Sequence, residues 1–599
     1  MDREHLAVMV KERSEQWGER PALRYKDPAT QRWEEISWRK LGEQSQAVAG
    51  GLVKLGVQEQ EAVGIFSANR PEWTVADYGA QFARAVSVPI YATNSASQAR
   101  YIVDDAEIKV IFVGSQEHYD KVKSFAGDCP IPPKIVTLDD YIRVQGADLH
   151  FSDFLAAGRY SGDGQELAAR LEKTSSRDIA TLVYTSGTTG DPKGVILTHA
   201  NFFYQLHTLN QLVEVGPEDV SLCFLPLSHT YERTWTYFIL HQGAVNCYCP
   251  DFKRVTEYFR EVRPTVMVSV PRLYEKIFDQ IQSRVKSSSV LSQKLFHWAL
   301  KVGRELAACR QHRQAPGVFL KLKHALADRL ALRQVRETFG GRLRWVVSGG
   351  APLSRELEEF FLAAGILICQ GYGLTETAPV IASNLPQAFK FGTVGQVLPG
   401  CKVRFSPEGE ILVKGPNVMA GYFKKPQATA AAFEDGWFKT GDVGKLDQDG
   451  FLRITDRIKD LIITSGGKNI SPQIIEVALC RDPYIEQAAV IGNKRKFVGA
   501  LLVPAFGALE EYARAQGLRV GGREELLSHP QIEEFYDQRV KMQCKELADC
   551  EKIKKFSLLA HEFTLEGGEL TPTLKLKRKV IEKNYADLIE SMYQEKLGD

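Results

Sequence analysis

The chain is 599 residues long and 44% hydrophobic, more than one compact core requires, so more than one domain is expected. Its 76 basic and 74 acidic residues leave a formal charge of +2, which gives no electrostatic case for a nucleic-acid partner. Ten scattered cysteines are too sparse for a disulfide framework and predict a reducing compartment, and no uncharged apolar run of about 18 residues predicts a membrane span.

Residues 1–20, MDREHLAVMVKERSEQWGER, mix acids and bases and do not read as a secretory signal. EAVGIFSA (61–68) reads as a buried strand, PEWTVADYGAQFARA (71–85) as a helix with Pro71 near its start, and VSVPIYA (86–92) and IKVIFVG (108–114) as further strands. The rhythm resumes in IATLVYT (179–185), VSLCFLP (220–226), PTVMVSVP (264–271) and LRWVVSGG (343–350). Strands alternating with helices predict a layered α/β fold with a largely parallel sheet. Cys247 and Cys249 in NCYCP have neither a second pair nor a histidine cluster with which to bind a metal. Residues 272–342 change character: YEKIFDQIQSRV and LSQKLFHWALKVGRELA space their apolar residues helically, which predicts a helical insertion. The insertion is basic and amphipathic, and either helices covering a sheet face or a lipid-facing segment gives that pattern.

After Gly392 the chain turns glycine-rich, and residues 392–456 read as β-hairpins of a small β subdomain. A boundary is expected at about residue 457, giving a large N-terminal domain (1–456) and a smaller α+β domain (457–599). In the latter, IIEVALC reads as a helix, YIEQAAVIG and KFVGALLVP as strands, and EELLSHPQIEEFYDQRVKMQCKELA as one helix.

VYTSGTTGDPKG (183–194) follows an apolar run with three glycines, four Ser or Thr residues and one lysine. Backbone N–H groups beside glycine can face phosphate oxygens, hydroxyls donate short bonds, and Lys193 adds a point charge. The loop is not a Walker A sequence, because Lys193 is followed by Gly194 rather than Ser or Thr. A surface loop with no ligand is the other reading. SGGAPLS (348–354) could seat a flat ring or serve only as a strand-to-helix turn. QGYGLTETAP (370–379) gathers Tyr372 for stacking, Thr375 for a phosphate oxygen and Glu376 for Mg²⁺, against the alternative of a tight turn. WFKTGD (437–442) ends in a carboxylate suited to two sugar hydroxyls. His229 in LPLSHTYERTW is the one histidine in a promising loop, and Ser186 lies outside any G-x-S-x-G elbow.

YTSGTTGDPKG, GYGLTET, TGD and DRIKD, in that order, make the chain resemble the AMP-forming acyl-CoA synthetases of the adenylate-forming superfamily from about residue 10 to about 590. The helical insertion and the PLSHTYER phrasing are similar to the long-chain fatty acid–CoA ligases. The resemblance implies that Thr185, Ser186, Gly187, Thr188, Thr189, Gly190 and Lys193 close over the β- and γ-phosphates of ATP. It implies that Gly350, Ala351 and Pro352 flank adenine, that Tyr372 stacks on it beside Gly373, and that Thr375 contacts the α-phosphate. Glu376 would hold Mg²⁺, Asp442 and Arg457 the ribose, and Lys459 would be the hinge. His229 would lie on the acyl side. Catalytic roles are expected for Thr188, Glu376, His229 and a C-terminal lysine.

LTPTLKLKRKV (570–580) departs from the family's T-P-T-G-K pattern, with Leu574 in place of glycine; Lys575 aligns with the catalytic lysine and Lys577 is its rival. The family's tryptophan gate aligns with Arg233, and Trp235 comes two residues later.

The implied reaction joins a long-chain fatty acid to coenzyme A at the expense of ATP. A carboxylate is already nucleophilic, so adenylation requires positioning and charge neutralisation rather than a strong base. In the second half-reaction the small domain would turn about Lys459 and present residues 465–468, where Gly466 and Gly467 leave room for the pantetheine arm. Fatty acyl-AMP ligases that load a carrier protein, and synthetases for medium-chain or aromatic acids, share the first step. A cytoplasmic protein is expected, monomer or homodimer, with peripheral contact to the inner face of a membrane left open.

Overall fold

The structure, a computed structural model, describes residues 4–159, 164–185, 192–311, 314–458, 462–465, 469–518, 521–564, 567–570 and 576–594. The chain forms two compact units. The first comprises residues 1–403, 413–439 and 446–453; the second comprises 404–412, 440–445 and 454–599.

Three sheets build the first unit. The largest runs, in spatial order, Gly421–Tyr422, Lys193–Thr198, Ile179–Thr185, Val86–Ile90, Ala62–Phe66, Val110–Val113, Lys134–Thr137 and Leu149–His150. From Ile179–Thr185 onward its neighbours are parallel, and the two strands at the other edge run antiparallel. Ala62–Phe66 and Val86–Ile90 are buried at every residue. That is why they read as nearly continuous apolar runs, broken only by Ser87: helices cover both faces of a parallel sheet.

A second sheet orders Val266–Ser269, Trp345–Ser348, Leu367–Gly373, Val380–Ser383 and Gln396–Val397. Its first three strands are parallel and in register, with Ser269, Ser348 and Gln370 at one level. The third sheet pairs Val220–Cys223, Val245–Tyr248, Pro21–Lys26 and Trp33–Ser37. Cys247 and Cys249 are buried, and burial pushes both thiols up to about 12, so they are protonated core residues.

The basic segment is helical: Pro271–Lys286, Val290–Gln311, Val318–Ala327, a π-helical turn Asp328–Leu332, and Arg333–Glu337. In the second unit Ile485–Ile491, Gly499–Pro504 and Lys555–Leu558 form a sheet flanked by Pro472–Leu479, Phe506–Ala515 and Pro530–Gln543. The single helix expected over EELLSHPQIEEF is two, Arg523–Leu527 and Pro530–Gln543. Pro530 lacks an N–H and disfavours helical geometry at His529, so the first helix stops and a new one starts with proline at its first position.

Arg233 and Trp235 are core residues. Arg233 is 1% exposed and ion-paired through its Nη2 with Asp77. Its Nη1 donates to Thr181 Oγ1 at 2.7 Å and its Nε to Tyr237 Oη at 2.8 Å, while Tyr237 donates to Asp77 Oδ2 at 2.6 Å. Trp235 Nε1 donates to Ser221 Oγ at 2.9 Å. Breaking a buried ion pair on one side leaves an unpaired charge, which costs roughly 3–5 kcal/mol. Asp77→Asn is therefore expected to lower the thermal midpoint markedly, and the double change Asp77→Leu with Arg233→Met to lower it less, as calorimetry of the full chain would record.

Candidate active site

All the loops expected on the adenine and α-phosphate side leave one edge of the second sheet. Loops at the carboxyl ends of parallel strands are where α/β folds place ligands. Trp345–Ser348 leads into Gly349 and Gly350. Gly350 has φ +83 with open space around its missing Cβ, so its conformation rather than crowding demands glycine. Ala351 and Pro352 are exposed. Gln370, buried on the neighbouring strand, holds this loop: its Oε1 accepts from Leu353 N at 3.1 Å. Ser354 caps the following helix, Arg355–Ala363, so Pro352 lies just outside the helix.

Leu367–Gly373 delivers Tyr372, half-buried, and then the short 3₁₀ turn Thr375–Thr377 that carries Glu376. The turn folds tightly. Leu374 N bonds Thr377 Oγ1 at 3.0 Å and Pro379 O at 3.1 Å. A Cβ on Gly373 would sit 1.8 Å from the Pro379 carbonyl oxygen, so no side chain fits there.

Thr185 and Lys193 are cross-strand partners at the open end of the antiparallel pair Ile179–Thr185 and Lys193–Thr198. Residues 186–191, which include Ser186, Gly187, Thr188, Thr189 and Gly190, lie outside the described residues. The base of the connection is fixed: Tyr184 donates to Asp105 Oδ2 at 2.6 Å and Tyr101 to Pro192 O at 3.1 Å. A Cβ on Gly194 would stand 3.0 Å from the Tyr184 ring, a local reason for glycine after the lysine.

Tyr422 joins these parts, and the sequence reading missed it. Its strand pairs with Lys193–Thr198, with Tyr422 opposite Val195. Its hydroxyl donates to Glu376 Oε1 at 3.0 Å, and Lys193 Nζ lies 5.0 Å from its ring centroid. Burial first, and then the Glu376 carboxylate, raise the Tyr422 phenol above its ordinary range, so it stays a donor. Main-chain bonds tie the same parts together, from Met419 N to Glu376 O at 2.8 Å and from Phe423 N to Gly194 O at 2.8 Å. Nothing in AGYFKK marks this tyrosine, because its neighbours come from non-local strand pairing.

His229 caps the helix Thr230–His241, its Nδ1 accepting from Tyr231 N at 3.1 Å. Tyr231 in turn donates to Val347 O at 3.1 Å, which ties this helix start to the strand leading to Gly350.

In the second unit, Asp442 is 5% exposed and accepts from Arg457 Nε at 2.8 Å, so these two expected ribose residues are brought together. Lys459, Gly466, Gly467 and Lys575 lie outside the described residues. Among the described residues no group of three or more His, Cys, Asp or Glu forms a metal cluster. A single hard oxygen donor at Glu376 fits Mg²⁺, which takes one or two carboxylates and completes its shell with water and substrate phosphates.

The comparisons agree with this architecture. The model of the AMP-binding enzyme family matches residues 10–423, and that of the AMP-binding enzyme C-terminal domain matches residues 459–597. The chain belongs to this family. It is 38% identical to the long-chain-fatty-acid–CoA ligase FadD15 of Mycobacterium tuberculosis, over 94% of this chain and 92% of that one. It is 32% identical to the long-chain-fatty-acid–CoA ligase ACSBG2 of Xenopus laevis, over 94% and 80%. Its fold is that of the adenylation domain of a carboxylate reductase from Mycobacterium chelonae, with a TM-score of 0.77 at 22% identity over 99% and 91%.

Two measurements probe this geometry. Tyr422→Phe removes the donor to Glu376 and is expected to slow adenylation about tenfold, with apparent Mg²⁺ affinity reduced and the thermal midpoint little changed. The second concerns Glu358, which is 1% exposed, accepts from Gly392 N at 2.8 Å and is pushed up to about 7, chiefly by burial. Between its ordinary value and about 7 the folded chain keeps a proton that the unfolded chain has released. Stability from this group is therefore present at low pH and lost as pH rises through that window, by up to roughly 3 kcal/mol. Glu358→Gln should gain stability relative to the parent between about pH 5 and about pH 8, read as a widening gap in thermal midpoints.

Proposed function

We propose that the chain is an AMP-forming long-chain fatty acid–CoA ligase. The observation that carries this reading is the Lys193–Tyr422–Glu376 arrangement beside the loop-bearing strand edge, in a chain 38% identical to such a ligase.

In the first half-reaction a carboxylate oxygen of the fatty acid bonds to the α-phosphorus of ATP and the bond to the bridging oxygen of pyrophosphate breaks. Lys193 and the hydroxyls of residues 185–189 hold the departing pyrophosphate. Gly350, Ala351, Pro352 and Tyr372 hold adenine, Thr375 the α-phosphate, and Asp442 with Arg457 the ribose. Glu376 would hold Mg²⁺, which would supply charge neutralisation at the phosphate oxygens. Lys575 is the cation assigned to the attacking carboxylate and the α-phosphate. In the second half-reaction the coenzyme A thiol gives its proton to solvent, its sulfur bonds to the acyl carbon, the bond from that carbon to the phosphate oxygen breaks, and AMP leaves.

We take the C-terminal domain as residues 457–599, turning about Lys459. Leu570 and Leu576 pair as an isolated antiparallel bridge. Lys577 lies beyond it as the cap of Arg578–Asn584, its N–H bonded to Glu569 O at 2.7 Å. Gly466 and Gly467 are assigned to the pantetheine arm, because glycines leave room for its close passage. No helix among the described residues is long and apolar enough to cross a membrane. Substrate and product partition into bilayers, so peripheral contact with a membrane belongs to this reading.

Pyrophosphate release that needs ATP, Mg²⁺ and a long-chain acid, with acyl-CoA formed on adding coenzyme A, is the expected result. Its absence with every acid tested would overturn the reading. Lys575→Ala is expected to slow adenylation about a hundredfold and thioester formation from supplied acyl-adenylate by less than about tenfold. Equal losses, or a larger loss in Lys577→Ala, would contradict the assignment.

A further inference from the structure

The helix Val318–Ala327 and the turns after it present the wrong face to water. At about 100° per residue, Val318, Phe319, Leu322, Leu326 and Leu330 fall within an arc of roughly 120°. Their exposures are 74%, 70%, 65%, 53% and 42%. The opposite side is the packed one, with Ala327, Ala331 and Val335 buried. A helix with a packed face ordinarily turns polar residues outward, and contiguous exposed apolar surface marks an interaction site.

The borders of this stripe are cationic. Lys321 and Lys323, both exposed, flank it on either side, and Lys323 Nζ lies 4.4 Å from the Phe319 ring centroid. Arg329 and Arg333 are exposed at its far end. The acids here are already engaged: Asp328 is held by Arg336 at 2.5 and 2.8 Å, and Glu337 pairs with Arg333 at 3.3 Å. Arg333 also lines a cleft of about 370 Å³ with Arg260, Arg263, Glu337 and Gly340, so cations extend beyond the helix.

We propose that this surface docks on an anionic lipid bilayer, with the apolar stripe at the boundary of headgroups and acyl chains and the lysines and arginines on the headgroups. An apolar face bordered by cations is what the interfacial region of a bilayer accepts, since the long basic side chains reach out to the phosphates. A second copy of the chain fits worse. A two-fold contact through the stripe would bring the same cations face to face. The proposal deepens the membrane contact suggested above and gives it a place.

The test is flotation of the full chain with vesicles of phosphatidylcholine and phosphatidylglycerol, and with phosphatidylcholine alone. It needs neither ATP nor fatty acid, so its failure is distinct from failure of the ligase reading. The parent chain should float with the mixed vesicles, less at high salt. Phe319→Glu with Leu322→Glu should bind at least about tenfold more weakly, and Lys321→Glu with Lys323→Glu should lose the preference for phosphatidylglycerol. Both should keep their turnover of a short, water-soluble acid; if the first pair does not fold, the lysine pair decides. A parent chain that does not float, variants that float equally well, or a parent dimer that the Phe319/Leu322 pair turns into a monomer would overturn the proposal.

Discussion

Three parallel strands held in one register set the geometry on which the site depends. Ser269, Ser348 and Gln370 are neighbours across the sheet, and the segments carrying Gly350, Tyr372 and Glu376 leave from that edge. A slip of one residue in this register would turn each strand's buried side chains toward its other face. Gln370 uses the register directly. It is buried beneath the edge, where it can reach Leu353 N and hold the neighbouring loop. The parallel ladder thus positions the loop residues that backbone propensity alone would leave loose.

The charge arrangement follows a similar economy. A carboxylate such as Glu376 repels a polyphosphate unless a cation stands between them. The groups around it suit that need: Tyr422 donates to one oxygen and remains protonated, and Lys193 lies over the Tyr422 ring. A tyrosine hydroxyl orients the carboxylate without neutralising it, which leaves its negative charge for a hard cation. A lysine in place of Tyr422 would cancel that charge. An acyl-adenylate-forming enzyme needs this balance because its nucleophile, an anion, must approach another anion.

Much of this was legible in the sequence, for physical reasons that differ by element. Ala62–Phe66 and Val86–Ile90 announced themselves because strands buried on both faces are almost wholly apolar, with Ser87 the exception. The ordered motifs singled out Glu376, Tyr372 and Asp442 as expected nucleotide contacts; the structure sets Glu376 beside Tyr422 and Asp442 beside Arg457. Tyr422 was illegible, since its partner is set by an antiparallel pairing more than two hundred residues away in the chain. Pro21–Lys26 was hidden for the same reason, its parallel neighbour being Val245–Tyr248. Arg233 read as a departure from a gate motif, yet a charged residue on a buried helix requires a partner, and Asp77 lay in PEWTVADYGAQF as a fully buried acid.

Buried polar groups do comparable work around both halves of the proposed chemistry. Glu232, fully buried and pushed up to about 8 by that burial, accepts from Leu225 N at 3.2 Å. Asn69 accepts from Leu227 N at 2.9 Å and donates to Leu225 O at 2.7 Å, so the PLSH loop that ends in His229 is held at successive points. In the second unit, buried Glu569 accepts from Thr564 N at 3.0 Å and its main-chain oxygen from Lys577 N at 2.7 Å. An apolar side chain could fill each of these places at lower desolvation cost, but it could not fix the direction of a main-chain N–H. The chain therefore spends buried polarity where a loop's orientation matters to the reaction, and its stability is lower there than an apolar core would give.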